Sequence, residues 1–306
     1  MTLGIVDVGT NSIHLVIGRV RRRGAFRITQ YNRVLVRLGD GSPWSRRLSR
    51  RAVRRAMVVL RRYAQTLRRR DVDHVEAVAT SAIRDAADGE RFVRAVRAQW
   101  RLPLRIVSGL EEARLTYHGV RAVGRVRGTV LMVAIGGGSA QVMYGRGSRP
   151  RYLTSLPLGS ARLASAFIRH DPPRPSEVGA MERHVRRVWA PVGRSVRRWR
   201  CRRALGCSAM IHQLAGLAGS RAITRPKLAA LVGQLTRLRA AQRRRLRGLD
   251  PDRHTFALPT AIALLAWMDA CNVSRVTAVD GSLRDGLAAV CHLSAARGGS
   301  RDATAH

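Results

Sequence analysis

Two segments of this 306-residue chain decide its fold because they repeat one another. Residues 5–19 read IVDVGTNSIHLVIGR, and residues 132–146 read MVAIGGGSAQVMYGR. Aligned without a gap, Gly9 matches Gly136, Ser12 matches Ser139, Gly18 matches Gly145 and Arg19 matches Arg146. Each segment is an apolar run, a polar turn and a second apolar run, a pattern that predicts a β-hairpin. Two related hairpins, one opening the chain and one near its middle, predict two α/β domains in tandem.

The composition is that of a globular protein with an unusual charge. Hydrophobic residues make up 45% of the chain and charged residues 25%, which is enough for a packed core and excludes a fully disordered chain. Lys and Arg number 57 against 19 Asp and Glu, so the formal net charge is +38. Such a charge favours polyanionic partners, such as polyphosphate, nucleotides or nucleic acid, although an arginine-rich genome would also raise the arginine content.

Strands and helices alternate along the chain, which predicts the α/β class. Apolar residues recur at helical spacing over residues 48–69, and residues 74–79 form a short apolar run that predicts a buried strand. In the second half, helices are expected over residues 227–246 and from about residue 261 to residue 271. The expected domains are residues 1–122 and residues 123–293, followed by a small polar tail, residues 294–306, that frays.

The two hairpin turns are candidate phosphate-binding sites. Glycine lets the backbone approach a ligand closely, and successive amide N–H groups form a concavity that suits an anion. A plain hairpin turn is the alternative, because Gly, Asn and Ser are common turn residues. The candidate phosphate-binding residues are Gly9, Thr10, Asn11 and Ser12 in the first turn, and Gly136, Gly137, Gly138 and Ser139 in the second.

Two further candidates lie between the hairpins. Arg84 follows the strand predicted at residues 74–79, and a guanidinium can bind phosphate through two parallel hydrogen bonds. Ser108 and Glu111 have the spacing of a capping box, which predicts that a helix begins there. Glu112 is then a carboxylate in the first turn of that helix, where a surface glutamate favoured by the helix dipole is the ordinary explanation.

These motifs, in this order, resemble the exopolyphosphatase and guanosine pentaphosphate phosphohydrolase (Ppx/GppA) family, in its short two-domain form. The resemblance is carried by residues 7–12, 79–86, 108–115 and 136–139, and extends through 155–163, 249–259 and 280–286. It therefore covers nearly the whole chain.

The resemblance implies a fold and a mechanism. The fold is that of the actin-like ATPase superfamily, with two ribonuclease-H-like domains around a central cleft in which the two hairpin turns hold the terminal phosphate. Glu112 would position and deprotonate the attacking water, and Arg84 would balance phosphate charge. Mg²⁺ or Mn²⁺ would screen the substrate, with Asp7 as the expected protein ligand.

The second turn departs from the family pattern at three positions. The family has Asp, Thr and Glu where this chain has Ala134, Ala140 and Gln141. Mg²⁺ is usually bound by one or two carboxylates together with phosphates and water, and neither Ala nor Gln supplies a carboxylate. The departures leave two hypotheses open: an exopolyphosphatase-like hydrolase with reduced activity, or a catalytically impaired protein that binds polyphosphate or an alarmone.

The expected partners and location follow from the same features. Polyphosphate or guanosine pentaphosphate is the expected substrate, non-specific nucleic-acid binding through arginine stays an alternative, and a homodimer is left open. A start that runs directly into a strand and the lack of a long apolar segment predict a cytoplasmic protein without a membrane span.

Overall fold

The computed structural model describes residues 1–20, 26–39, 47–124, 126–201 and 203–298, and the side-chain surroundings as far as residue 292. These residues form two compact units. The first contains the described residues between Met1 and Val126 together with the segment that begins at Gly281, and the second contains Arg127–Asp280. In the described part of the chain, none of the helices combines the length and apolar character that crossing a membrane needs.

The first unit is a five-stranded sheet with helices on both faces. Its elements are β1 (Thr2–Val8), β2 (Ser12–Val20), β3 (Phe26–Leu35), α1 (Arg50–Arg69), β4 (His74–Ala79), α2 (Ser81–Arg84), α3 (Gly89–Trp100), β5 (Leu104–Ile106) and α4 (Gly109–Val123). The strand order is β3-β2-β1-β4-β5. The first three strands are antiparallel, whereas β1, β4 and β5 run parallel.

The second unit contains a six-stranded sheet. Its elements are β6 (Thr129–Ile135), β7 (Ala140–Arg146), β8 (Arg149–Leu156), α5 (Ser160–Phe167), α6 (Pro175–Arg197), β9 (Ala204–Gly206), α7 (Ala209–Leu217), β10 (Ala222–Thr224), α8 (Arg225–Arg237), α9 (Ala240–Arg244), α10 (His254–Cys271) and β11 (Arg275–Ala278). The strand order is β10-β11-β9-β6-β7-β8. The core on one face of this sheet includes Trp189 of α6 and Trp267 of α10, and both are fully buried.

The sequence repeat is also a structural repeat. In the first hairpin Thr2 pairs with Arg19, and in the second Thr129 pairs with Arg146, which is the same register displaced by the repeat offset. The register against the third strand shifts at Ile17/Gly18 in one unit and at Tyr144/Gly145 in the other, again the same position of the repeat. A bulge bends a strand and increases its local twist, so each unit shapes its hairpin in the same way.

The C-terminal helix α11 (Leu283–Gly298) corrects two sequence predictions. The predicted second domain ran to residue 293, but the structure places the chain from Gly281 onward in the first unit. Leu283 and Leu287 join Leu3 and Ile5 of β1 in one buried cluster, so apolar packing against the first sheet decides where this helix belongs. The predicted frayed tail is helical as far as Gly298, and its remainder, residues 299–306, lies outside the described residues.

Two helix predictions in the second unit were also wrong. A single helix was expected over residues 227–246, but extended backbone at Leu238 separates α8 from α9. A helix was expected to begin at Ala261, after the proline, yet α10 begins at His254 and continues through Pro259. Pro259 is buried, and burial of this strongly apolar helix outweighs the hydrogen bond that a proline removes.

Candidate active site

The candidate site in the first unit lies at one edge of its sheet. The strands β1, β4 and β5 are parallel, so their carboxyl ends lie side by side. Backbone hydrogen bonds continue past the strand ends, from Thr80 N to Val8 O (3.1 Å) and from Val107 N to Ala79 O (3.0 Å). The segments that follow the three strands are the first hairpin turn, helix α2 and the start of α4. Open α/β sheets bind ligands at this edge.

The backbone carbonyl groups of the first hairpin turn accept hydrogen bonds from other parts of the protein. Gly9 N donates to Ser12 O at 3.0 Å, which closes the turn. Asn11 O accepts hydrogen bonds from two amides of the segment that follows β3, at 2.9 and 2.8 Å, and Thr10 O accepts one from Gly39 N at 2.9 Å. Because the carbonyl groups are satisfied by that segment, the amides of the turn point away from it, as an anion-binding concavity requires.

The second turn is built in the same way. Gly136 N donates to Ser139 O at 2.9 Å, and the residues at the start of α5 donate to the turn carbonyls. Ser160 N donates to Gly136 O, and the guanidinium Nε of Arg162 donates to Gly138 O, both at 2.9 Å. Within the described residues, the amides of the two middle glycines, 137 and 138, donate to no protein acceptor. Both turns are therefore closed by the same hydrogen bond, and their role in phosphate binding stays a prediction.

Glu112 is held by Arg84. Ser108 caps α4 through its hydroxyl, which accepts from Glu111 N at 3.0 Å, so the predicted helix start is confirmed. Arg84 Nη1 donates to Glu112 Oε2 at 2.9 Å and to Val107 O at 3.1 Å. The Arg84 and Glu112 side chains are 19% and 14% exposed, so the pair is largely but not fully shielded from water. The carboxylate is therefore oriented and can still be reached from solvent.

Asp7 pairs with Arg284, a residue to which the sequence analysis gave no role. Arg284, in the first turn of α11, donates from Nη1 to Asp7 Oδ2 at 2.8 Å. The two residues are 277 positions apart in the chain. The resemblance placed Arg284 inside a matching motif, residues 280–286, and that motif is the signal from which its role could have been suspected.

The departures in the second turn form one neutral network. Ala134 and Gln141 are cross-strand partners in the β6–β7 register. The two positions at which the family has a carboxylate are therefore neighbours on the sheet. Gln141 is buried, and its side-chain amide nitrogen donates to Ser139 Oγ at 2.8 Å and to Ser155 Oγ at 3.3 Å. The amide therefore ties the second turn to β7 and β8 without introducing charge.

The side chains present do not fit a divalent ion that the protein binds by itself. Mg²⁺ requires hard oxygen ligands, chiefly carboxylates, and the second turn offers none at positions 134 and 141. Asp7 and Glu112 each already carry a guanidinium within 2.9 Å. The predicted role of Asp7 as a metal ligand stays a prediction, and two arginines contribute positive charge where a metal ion was expected.

The chain resembles proteins of one family along nearly its whole length. The model of the Ppx/GppA phosphatase family matches residues 16–293. "Exopolyphosphatase 1" of Mycobacterium tuberculosis is 28% identical over 299 residues, which covers 94% of this chain and 87% of that protein. A guanosine-5'-triphosphate,3'-diphosphate pyrophosphatase of Aeromonas salmonicida is 29% identical over 300 residues, with 92% of this chain and 58% of that protein covered.

Solved structures agree with this assignment. The crystal structure of an exopolyphosphatase from Cytophaga hutchinsonii superimposes with a TM-score of 0.84 at 23% identity, over 94% of this chain and 96% of that one. The likeness shows that the chain has the same fold as that exopolyphosphatase, and the two sheets with their helices confirm the predicted α/β class. The family match likewise confirms the predicted enzyme class, a phosphoanhydride hydrolase. The chain belongs to the Ppx/GppA phosphatase family.

Proposed function

We propose that this protein is an exopolyphosphatase that releases terminal orthophosphate from polyphosphate, with Glu112 as the general base. The observation that carries the proposal is the Arg84–Glu112 pair. It orients a carboxylate, 14% exposed, at the sheet edge that also bears the first phosphate-binding turn. The similar proteins of Mycobacterium tuberculosis and Aeromonas salmonicida are named as an exopolyphosphatase and a pyrophosphatase, which supports hydrolysis of a phosphoanhydride bond.

The reaction needs one proton transfer and one displacement. Glu112 accepts a proton from water, and the water oxygen forms a bond to the terminal phosphorus. The bridging P–O bond breaks, and its electron pair stays on the shortened polyphosphate, which leaves as an oxyanion. Positioning and neutralisation of charge supply most of the catalysis in phosphoryl transfer, so the protein chiefly needs oriented donors.

The turns and the two arginines supply those donors. We assign phosphate binding to the amides of residues 9–12 and 136–139, with the hydroxyl groups of Thr10, Ser12 and Ser139. Arg84 was expected to bind phosphate, and we propose that it also positions Glu112. Its Nη1 makes that hydrogen bond and its Nε lies 3.6 Å from Asp85 Oδ1, while Nη2 has no partner among the described residues and can donate to a phosphate oxygen.

A divalent ion, Mg²⁺ or Mn²⁺, is proposed to arrive with the substrate. Mg²⁺ is commonly bound through substrate phosphates with few protein ligands, and such an ion would lower the negative charge of polyphosphate. Asp7 is the side chain that could contact it, in competition with Arg284. Arg84 and Arg284 are the other groups proposed to neutralise the negative charge of the substrate.

Polyphosphate is the proposed substrate rather than guanosine pentaphosphate because of the charge distribution. Helix α1 exposes seven arginines to solvent, Arg50, Arg51, Arg54, Arg61, Arg62, Arg68 and Arg69. A net charge of +38 attracts a long polyanion more strongly than a single nucleotide. The ratio of kcat/KM for the two substrates tests this choice, and a preference for the nucleotide would reverse it.

Phosphate release by the purified protein, with polyphosphate and Mg²⁺ or Mn²⁺, tests the reaction. Glu112→Gln should lower kcat by about 100-fold or more, because general-base catalysis contributes roughly 10²–10⁴-fold. Glu111→Gln is the matched control: it lies next in the chain, and its carboxylate pairs with Arg105 at 2.6 Å instead. If both variants keep wild-type kcat, or if wild-type protein releases no more phosphate than Glu112→Gln, the proposal is wrong.

A binding protein without turnover is the second candidate, and the Ala134–Gln141 network favours it. If the missing carboxylates impair catalysis, the double variant Ala134→Asp with Gln141→Glu should raise kcat and its dependence on Mg²⁺. Gln141→Glu alone is the control, since it supplies one acid without its cross-strand partner. Unchanged kcat in the double variant would contradict this account of the impairment.

A further inference from the structure

Three potential metal ligands meet at the opposite end of β4 from the candidate active site. His74 and Glu76 lie two residues apart on that strand, so both side chains point to the same face of the sheet. Cys291 lies on α11, which packs against this face, and its Sγ is 3.7 Å from Glu76 Oε1. His74 is five residues from the carboxyl end of β4, which places it about 16 Å along the strand from the active-site edge.

We propose that His74, Glu76 and Cys291 bind a zinc ion. A set of one imidazole nitrogen, one carboxylate oxygen and one thiolate sulfur matches the ligand types that Zn²⁺ takes in proteins, whereas Mg²⁺ and Ca²⁺ take oxygen alone. Three protein ligands with a fourth position open to water is a common zinc arrangement. Neither the proposed hydrolase activity nor its metal requires this site.

The ligand atoms already have nearly the right spacing. Zn–N, Zn–O and Zn–S bonds of about 2.0, 2.1 and 2.3 Å at tetrahedral angles place ligand atoms roughly 3.4–3.6 Å apart. His74 Nε2 and Glu76 Oε1 are 3.1 Å apart, and Cys291 Sγ lies 3.7 Å from the same oxygen. All three ligand atoms lie within 4.8 Å of one another. Small side-chain rotations would therefore complete the site, with no movement of the backbone.

The chemistry of Cys291 is compatible with a metal ligand. The Cys291 thiol donates a hydrogen bond to Glu76 Oε1, with 3.7 Å between sulfur and oxygen, so its sulfur already lies beside a second ligand atom. A thiol that coordinates a cation loses its proton to the solvent, so metal binding would replace this hydrogen bond. The site is also accessible, since the His74 side chain is 47% exposed and that of Glu76 is 24% exposed.

A metal ion here would fasten α11 to the sheet. Cys291 lies two turns along α11 from Arg284, whose guanidinium holds Asp7. A ligand that binds only the folded protein stabilises it in proportion to the logarithm of its concentration. Zinc binding should therefore raise the melting temperature and strengthen the attachment of the helix that supplies Arg284.

Titration of chelator-treated protein with Zn²⁺, in excess Mg²⁺ to occupy any oxygen-ligand site, tests the proposal. Wild-type protein should bind one Zn²⁺ per chain, and Co²⁺ in its place should give a thiolate-to-cobalt charge-transfer band. Cys291→Ser should abolish that band. Cys291→Ser and the exposed-site variant His74→Gln should each weaken zinc binding by more than about 100-fold, because loss of an outer-shell partner alone costs roughly 10–100-fold.

Cys201→Ser is the matched control. Cys201 is also a partly buried free thiol, but it lies in the second unit and its Sγ donates to Arg203 O. This variant should keep wild-type zinc affinity, the cobalt band and the zinc-induced rise in melting temperature. The proposal is overturned if wild-type protein binds no Zn²⁺, or if Cys291→Ser and His74→Gln bind it as tightly as wild type. Neither variant touches the proposed catalytic residues, so phosphate release tests folding independently.

Discussion

Replacing Gly159 with alanine tests whether the second hairpin turn binds phosphate. Gly159 precedes α5, and its Cα faces the backbone of Gly137 and Gly138. A methyl group there would fall more than about 1 Å inside ordinary van der Waals distance of those backbone atoms. Its φ of −73° is allowed for alanine, so the substitution acts by steric displacement of the turn rather than by backbone strain.

The expected magnitude follows from that displacement. A shift of about 1 Å takes a hydrogen bond of about 2.9 Å out of range, and a hydrogen bond to a charged group is worth roughly 1.5–3 kcal/mol. Loss of the two amide donors at residues 137 and 138 would then cost about 3 kcal/mol or more. Since each 1.4 kcal/mol is tenfold, we expect polyphosphate affinity to fall by about 100-fold or more.

Binding of polyphosphate and the KM for phosphate release are the two measurements. Gly233→Ala is the matched control, because a methyl group at Gly233, within α8, meets nothing within 4 Å. It should keep wild-type binding and gain up to about 1 kcal/mol of stability, since alanine favours helix over glycine. If Gly159→Ala is folded and binds polyphosphate within about threefold of wild type, the turn does not bind phosphate and the reasoning fails.

Three further predictions concern charge and titration. Arg284→Gln should lower the free energy of unfolding, measured with urea, by about 2 kcal/mol, because the Asp7 carboxylate loses its partner at 2.8 Å. The double variant Arg284→Gln with Asp7→Asn should recover part of that loss. The hydrogen bond from His170 is the largest cause that lowers the pKa of Glu177 from 4.5 to about 2. The ionised Glu177 carboxylate therefore stabilises the fold fully above pH 4.5, and this contribution is lost as the pH falls through 2. Glu177→Gln should flatten the acid side of the profile of unfolding free energy against pH between these values. Iodoacetamide at pH 8 should label Cys201 before the other three cysteines, whose burial raises the pKa of each thiol to about 12, and peptide mass spectrometry reads out the order.

Local features of the fold could be predicted because they depend on neighbours in the chain. The two hairpins follow from apolar alternation around a glycine turn, and the structure repeats their register and bulge at the same positions. The strand at residues 74–79 and the cap at Ser108 were also predicted correctly. Strands β8, β9 and β10 were not predicted, and β9 and β10 have only three residues each, too few to show a period.

The candidate site was predicted only in part for a similar reason. Residue types and order identified Glu112, Arg84 and both turns as candidates. They did not reveal that Arg84 pairs with Glu112, or that the two departures at residues 134 and 141 face each other across one strand pair. Contacts of this kind depend on the register of strands and on helices that return from distant parts of the chain.

The amino-acid sequence by itself determined the secondary structure of the repeats and the fold class, and it indicated the candidate phosphate-binding residues, since these depend on side-chain chemistry and on spacing along the chain. Only the tertiary structure decided which sheet the last helix covers, and with it the pairing of Arg284 with Asp7 and the approach of Cys291 to His74 and Glu76. The physical reason is that an amphipathic helix specifies that it must bury one face but not which apolar surface covers it; that choice is made by packing between residues more than 200 positions apart.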